Sequence, residues 1–219
     1  DLYPIGEMIE TANALLPDLI VFTGDYVHFT PASVRPGIEI LSRLRGKLGT
    51  VAVLGNHEYW EGVDACREVF GRMGIPLLDN RHVFLTATGV ESAMPKQNAL
   101  CLAGFADLWE DIISFESALG GVPDTMPRIV LSHNPDAAEI TPPEYRVDLM
   151  FSGHTHGGQV RLPIIGTPAS LSRYGEKYLG GLCQGPRFPV IVSRGFGLAM
   201  FPVRLGVPPE IGIVTLTRS

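Results

Sequence analysis

The chain has 219 residues, of which 45% are hydrophobic and 18% are charged, and its formal net charge is −6. This composition excludes a disordered polymer, and an acidic chain without a basic run is a poor candidate for binding long nucleic acid. No apolar run approaches the roughly 18 residues that a membrane-spanning helix needs. The three cysteines are far apart and form no C-x-x-C pair, which favours reduced thiols over a disulfide framework.

Helical and strand patterns alternate along the chain. Apolar residues recur at helical spacing in 5–16, 38–44, 63–73 and 112–119. Short apolar runs predict strands at 19–22, 51–54, 75–78, 83–85, 100–103, 129–131, 149–151, 190–192 and 211–216. Such strands are buried on both faces, and amphipathic helices cover them. Because no repeat or linker-like stretch interrupts the pattern, it predicts one α/β domain over residues 1–219.

Polar side chains follow four of these strands, at the point where each strand ends. They are Asp25, then Asn56 with His57, then His133, and finally His154 with His156. In open α/β sheets the ligand crevice lies beyond the carboxyl ends of the strands. Carboxylate, amide and imidazole groups without a thiolate suit a divalent cation such as manganese, iron or zinc. A carboxylate can bridge two such cations about 3.5–4 Å apart, which together promote displacement at phosphorus.

Each of these residues also has a structural interpretation when it is taken alone. Asp25 could be a helix N-cap, Asn56 a turn residue and His133 a hydrogen-bonded structural histidine. Their occurrence at four strand ends favours a shared metal site over separate structural roles.

The same residues resemble, in order, the motifs of the calcineurin-like metallophosphoesterases. The matching segments are Gly24-Asp25, Gly55-Asn56-His57-Glu58, His133 and Gly153-His154-Thr155-His156. The extension Gln159-Val160-Arg161-Leu162-Pro163, with the later segments 193–197 and 204–210, resembles a bacterial branch. Members of that branch are often membrane-associated phosphodiesterases, some similar to UDP-diacylglucosamine pyrophosphohydrolases. The resemblance implies a four-layer αββα sandwich with mixed sheets.

The resemblance also implies a role for each matching residue. Asp25 would bridge two metal ions, Asn56, His133 and His154 would complete the shell of the second ion, and His156 would bind the first. His57 would lie over the phosphoryl group, stabilise its charge and protonate the leaving oxygen. A metal-bound hydroxide would be the nucleophile.

Two departures from the family pattern affect the expected site. The family opens with an Asp-x-His motif that gives the first metal two more ligands. No Asp-x-His occurs in these residues, and Asp1-Leu2-Tyr3 has tyrosine in the third position. We therefore hypothesise that the chain starts after that motif and its strand, and that it holds one metal ion tightly.

The second departure is His28, which replaces the last aspartate of a Gly-Asp-x-x-Asp motif. In the family that aspartate orients the catalytic histidine. A neutral His28 could accept a hydrogen bond from His57, but a protonated one would repel it. We expect a weaker general acid or a different partner for His57, such as Glu58. Alternatively, His28 is a surface residue that replaces a dispensable aspartate.

The loop-rich final third offers candidates for substrate binding. Arg161 or Arg194 could bind a phosphate oxygen, although loop arginines are more commonly solvated. Nearby apolar residues 196–201 could face an acyl chain or a membrane, or pack in the core.

We expect a small phosphorylated substrate with a phosphodiester or diphosphate bond, and a lipid-linked ester is one candidate. The alternatives are a nucleotide or cyclic-nucleotide phosphohydrolase and a non-catalytic binding module. We expect a cytoplasmic or peripheral-membrane protein, with any anchor upstream of Asp1.

Overall fold

The computed structural model describes residues 5–28, 30–95, 98–199 and 202–217. The helices are α1 (Ile5–Ala14), α2 (Val34–Glu39), α3 (Asn56–Met73), α4 (Phe115–Leu119) and α5 (Ala137–Ile140). The strands are β1 (Leu19–Phe22), β2 (Gly49–Ala52), β3 (Arg81–Thr86), β4 (Gly89–Glu91), β5 (Leu100–Gly104), β6 (Arg128–Leu131), β7 (Leu149–Ser152), β8 (Gly181–Gln184) and β9 (Pro189–Val192). Residues 1–3, 200 and 201, considered above, lie outside the described ranges.

The strands form a small parallel sheet and a large mixed sheet. β1 pairs with β2 in parallel, with Leu19 opposite Gly49. The large sheet has the order β4-β3-β5-β6-β7-β9-β8. Its central strands β5, β6, β7 and β9 are parallel, and the pairs at both edges are antiparallel. The carboxyl ends of the central strands therefore meet at one edge of the sheet.

Along each strand, alternate side chains point to opposite faces of the sheet, and this alternation shows how the two sheets stack. Val51 and Val53 belong to a cluster shared with β5 and β6, whereas the intervening Ala52 packs with the side chains of α2 and α3. In β6, Ile129 lies in the shared cluster, and Val130 packs on the other side with α4 and α5. Successive strand residues point to opposite faces, so both faces of each sheet are buried. The layers are thus helix, sheet, sheet and helix, which confirms the predicted αββα sandwich.

Three predicted elements differ from the structure. Residues 211–216, predicted as a strand, have no regular secondary structure and no strand partner among the described residues, and Ile213 is 68% exposed. The predicted strand at 75–78 is reduced to one bridge between Ala52 and Leu77. Helix α3 begins at Asn56 instead of Val63, because the Glu58 carboxylate accepts from the backbone N–H of the N-cap residue Gly55. Gly62, at φ 130°, interrupts the helix. No helix in the described ranges is long and apolar enough to cross a membrane.

Candidate metal centre

Three of the predicted ligands converge beyond the carboxyl ends of β1, β6 and β7. One atom each of Asp25, His133 and His154 lies within 4.8 Å of the others. Oδ2 of Asp25 is 3.1 Å from Nε2 of His133, and Nδ1 of His154 is 3.0 Å from the same nitrogen. The histidines are buried, so water cannot easily separate these groups. The triad joins residues that are up to 129 positions apart in the sequence.

The orientation of His133 shows that this triad fits a cation. Its Nδ1 lies 2.6 Å from the carbonyl oxygen of Thr23. Because a carbonyl only accepts, Nδ1 carries the proton, and Nε2 of the neutral ring presents a lone pair. That lone pair faces a carboxylate oxygen and a second imidazole nitrogen, which requires a proton or a cation among them. Metal-binding histidines commonly donate their other ring N–H to a carbonyl in this way.

The electrostatics of the pair follow from the same geometry. Burial alone would raise the pKa of Asp25, but the neighbouring His133 holds it well below its usual range. Burial opposes protonation of His133, yet Asp25 raises its pKa to about 9. In the metal-free protein a proton on Nε2 therefore neutralises the carboxylate.

Other buried polar atoms near the triad have no hydrogen-bond partner among the described residues. They include Oδ1 of Asn56, Nε2 of His154 and Nδ1 of His156. Leaving such a group unpaired costs about 1–3 kcal/mol, and each of these three atoms has a lone pair that a cation would satisfy. Burial lowers the pKa of His154 to about 3 and that of His156 to about 4, which keeps both rings neutral and able to bind a cation. His156 is not one of the three residues in the 4.8 Å group.

Backbone strain is concentrated at the same residues. Asp25, His154 and His156 all have left-handed φ angles, of 59°, 65° and 51°. Such conformations cost non-glycine residues about 1–3 kcal/mol and persist where the surroundings enforce them. Two glycines allow close approach to the ligands, because a Cβ at Gly24 would lie 2.5 Å from Nδ1 of His133 and one at Gly55 would lie 2.3 Å from Oδ1 of Asp25.

Glu58, in the first turn of α3, joins the start of that helix to the loop that carries Asp25. Its carboxylate accepts hydrogen bonds from the backbone N–H groups of Asp25, Tyr26 and Gly55, at 2.7–2.9 Å. Burial, followed by the negative charge of Asp25, raises the pKa of Glu58 to about 7. Because the side chain is fully buried and used by the backbone, the expectation that Glu58 is the partner of His57 is wrong.

His28 is the residue that contacts the ring of His57. Their Nδ1 atoms lie 2.8 Å apart, and their ring centroids are 4.2 Å apart. The backbone N–H of His57 also donates to Oδ1 of Asp25 at 3.1 Å. His57 is thus fixed at its backbone by the ligand triad and at its ring by His28. Burial and the neighbouring His57 lower the pKa of His28.

The two candidate arginines have different surroundings. Arg194 is bonded to Glu210 at 3.1 Å, which makes it part of the loop structure instead of a free phosphate ligand. Arg161 is exposed, on the segment that follows His156. Sequence reasoning placed Arg204 in a family-like segment but gave it no role, and its guanidinium donates to the carbonyl oxygens of Arg194 and Gly197. No local pattern in the sequence identifies this role, because it depends on how the segment after β9 folds back on itself.

Sequence reasoning also missed the loop after β5. Asp107 is buried there, and its Oδ1 accepts from the backbone N–H groups of Trp109 and Glu110. The ring of Trp109 lies 4.3 Å from that of His154. Applying the strand-end argument to residues 100–103 would have pointed to this loop.

Comparison with known proteins supports these features. A family model for calcineurin-like phosphoesterases matches residues 2–158. The chain is 32% identical to YkuE, an uncharacterized metallophosphoesterase of Bacillus subtilis, over 100% of this chain and 74% of that one. It is 32% identical to the phosphodiesterase YaeI of Escherichia coli, over 97% of this chain and 75% of that one. A transmembrane protein with a metallophosphoesterase domain from Bos taurus is 31% identical over 93% of this chain and 46% of its own length. The chain therefore belongs to the calcineurin-like phosphoesterases, a family of metal-dependent hydrolases.

Proposed function

We propose that this enzyme hydrolyses a phosphodiester bond at a centre of two divalent cations. Asp25, Asn56, His133 and His154 would hold one ion, and Asp25 with His156 would contribute to the site of the other. The observation that carries the proposal is the convergence of Asp25, His133 and His154 within 4.8 Å, with His133 oriented by a backbone carbonyl. Manganese, iron and zinc all suit this nitrogen and oxygen set.

The cations and the residues of the chain would have different roles in hydrolysis. Divalent cations in such sites supply an activated water and neutralise charge on the phosphoryl oxygens. His57, oriented through Nδ1 by His28, would donate from Nε2 to a phosphoryl oxygen or to the departing oxygen. The oxygen of water bonds to phosphorus while the bond to one ester oxygen breaks, and that oxygen leaves as an alcohol after gaining a proton. The remaining product is a phosphate monoester.

The name of one relative favours a phosphodiester as substrate over a diphosphate or a nucleotide. YaeI, at 32% identity, is named a phosphodiesterase. A lipid-linked diphosphate and a nucleotide remain competing substrate classes, and each is an outcome of the same assay. A non-catalytic binding module would bind metal without hydrolysing any ester.

The test combines metal binding with hydrolysis by the same preparation. Calorimetric titration with manganese should show one tight site, and Asp25→Asn should abolish it while the far-ultraviolet circular dichroism is unchanged. With excess manganese, bis(p-nitrophenyl) phosphate should be hydrolysed faster than p-nitrophenyl phosphate. Two tight sites would contradict the ligand assignment. Faster hydrolysis of the monoester, or manganese binding without any hydrolysis, would overturn the proposed activity.

We also propose peripheral contact with a lipid surface through the turn at 163–166. Ile164 and Ile165 are exposed there, next to Arg161 and within ten residues of His156. Apolar side chains flanked by a cation are suited to the boundary between headgroups and acyl chains. Cosedimentation with phosphatidylglycerol vesicles should fall when both isoleucines are changed to serine, and equal cosedimentation of this variant would refute the contact.

A further inference from the structure

Two exposed tryptophans lie against two of the histidines of the site, His57 and His154. The ring of Trp60 is 4.7 Å from that of His57, and the ring of Trp109 is 4.3 Å from that of His154. Trp60 is 55% exposed and Trp109 is 39% exposed. Tryptophan is usually well buried, and an exposed pair beside a reactive site has apolar faces available to a ligand.

Hydrogen bonds hold these two tryptophans in one wall. Nε1 of Trp60 donates to Oε1 of Glu110 at 2.8 Å, which connects helix α3 to the residue that follows Trp109. The adjacent Asp111 accepts from the hydroxyl of Tyr59 at 2.9 Å. The buried carboxylate of Asp107 fixes the turn beneath them. The wall is therefore organised before any ligand binds, which reduces the entropy cost of binding.

The charge of this wall is negative. Glu110 and Asp111 are exposed carboxylates, and Arg67, which lies over the Tyr59 ring, is bonded to Asp79 at 2.6 Å. A carboxylate that accepts from an indole N–H also increases the electron density of the ring. Aromatic faces combined with carboxylates attract organic cations, above all quaternary ammonium groups. A second anionic group on the substrate would be repelled at the same place.

We propose that Trp60, Trp109 and Glu110 form the subsite for one ester group of the substrate, and that this group carries a quaternary ammonium cation. The inference rests on the proposed phosphodiesterase activity and specifies its substrate as a zwitterionic phosphodiester. The phosphate lies at the metal centre, and the ammonium group contacts the indole faces with Glu110 beside it.

The test compares two chromogenic diesters that differ only in charge. One is p-nitrophenyl phosphocholine, and the other is its carbon isostere, in which a tert-butyl group replaces the trimethylammonium group. Hydrolysis of either adds water to phosphorus and releases p-nitrophenol, so the chemical step is the same. We expect kcat/KM about tenfold higher for the choline ester, mainly through a lower KM. Equal values, or preference for the isostere, would overturn the inference.

Three substitutions test whether the wall causes the preference for the choline ester. Trp60→Ala, Trp109→Ala and Glu110→Gln should each bring the ratio of the two kcat/KM values towards one. Because the ratio is measured within each variant, a general loss of active protein does not change it. The control is Glu144→Gln. Glu144 is an exposed carboxylate on the segment that leads into the amino end of β7, away from the wall. This control variant should keep the wild-type ratio, and an unchanged ratio in all three wall variants would refute the assignment.

Intrinsic fluorescence provides a readout that does not depend on turnover. Trp60 and Trp109 are the only tryptophans of the chain, so all indole emission comes from the wall. Phosphocholine should change this emission at lower concentration than its tert-butyl isostere. If bis(p-nitrophenyl) phosphate is hydrolysed but neither measurement shows a charge preference, the subsite is wrong and the activity stands. If no diester is hydrolysed but the fluorescence preference is present, the proposed activity fails and the subsite stands.

Discussion

Replacing Gly24 with alanine tests how closely the loop after β1 must approach the metal ligands. Gly24 has φ +95°, and an added Cβ would lie 2.5 Å from Nδ1 of His133 and 2.6 Å from the backbone nitrogen of Gly55. The left-handed backbone costs alanine about 1–3 kcal/mol, and the overlap with a fixed backbone adds about 1–3 kcal/mol. We expect Gly24→Ala to lower the free energy of unfolding by about 2–6 kcal/mol.

Gly71 provides a matched control for the same substitution. It lies in helix α3, and nothing is within 4 Å of a Cβ built there. Gly71→Ala should therefore stabilise the protein by about 0.5–1 kcal/mol, because alanine favours a helix interior. Urea unfolding followed by circular dichroism measures both changes. Manganese titration should show weaker binding for Gly24→Ala alone, since the substitution separates Asp25 from His133.

The two substitutions should therefore change stability in opposite directions. If Gly24→Ala were as stable as the wild type and bound manganese equally well, the close approach of the two loops would be wrong. Loss of stability with unchanged manganese affinity would show that the glycine serves the fold but not the ligand geometry.

Three further predictions concern positioning, pH and loop structure. His28→Ala should lower kcat about tenfold with little change in KM, because His57 loses its orienting contact. His28→Asp should retain more activity than His28→Ala. Equal kcat values for the wild type and both variants would contradict a positioning role for His28. Glu139 accepts hydrogen bonds from Lys177 and Tyr178. Burial opposes ionisation of Glu139, but these bonds lower its pKa below 4.5. The ionised carboxylate therefore stabilises the fold above that pH, and this stabilisation is lost as the pH falls through the folded pKa. The difference in unfolding free energy between wild type and Glu139→Gln should shrink over that range, and a constant difference would refute the linkage. Arg204→Lys should make the loop after β9 more sensitive to limited proteolysis, because lysine cannot donate to several carbonyls in one plane. An unchanged cleavage rate would show that Arg204 does not hold this loop together.

The positions of the candidate ligands could be predicted from local sequence alone. Short apolar strands ending in Gly24-Asp25, Gly55-Asn56-His57 and Gly153-His154 indicated both a layered α/β fold and polar groups at one edge of it. That prediction succeeds because strand periodicity and strand-end chemistry are properties of a few neighbouring residues.

The contacts of other residues could not be predicted in this way. Glu58 bonds to a backbone 32–33 residues away, Arg194 pairs with Glu210, and Trp109 packs on His154. Residues 211–216 have a strand-like pattern but no partner strand among the described residues. In each case the outcome depends on which segment lies alongside, not on the segment itself.

The sequence by itself therefore indicated a layered α/β fold, the chemical types of the candidate ligands and the edge of the sheet at which to expect them, whereas the four-layer order came from the family resemblance. Only the tertiary structure decided that His28 contacts His57, that Glu58 is used by the backbone and that two tryptophans border the site. The physical reason is that local periodicity records which faces are buried, whereas side-chain partners depend on the order of strands in the sheet and on the paths of the loops between them.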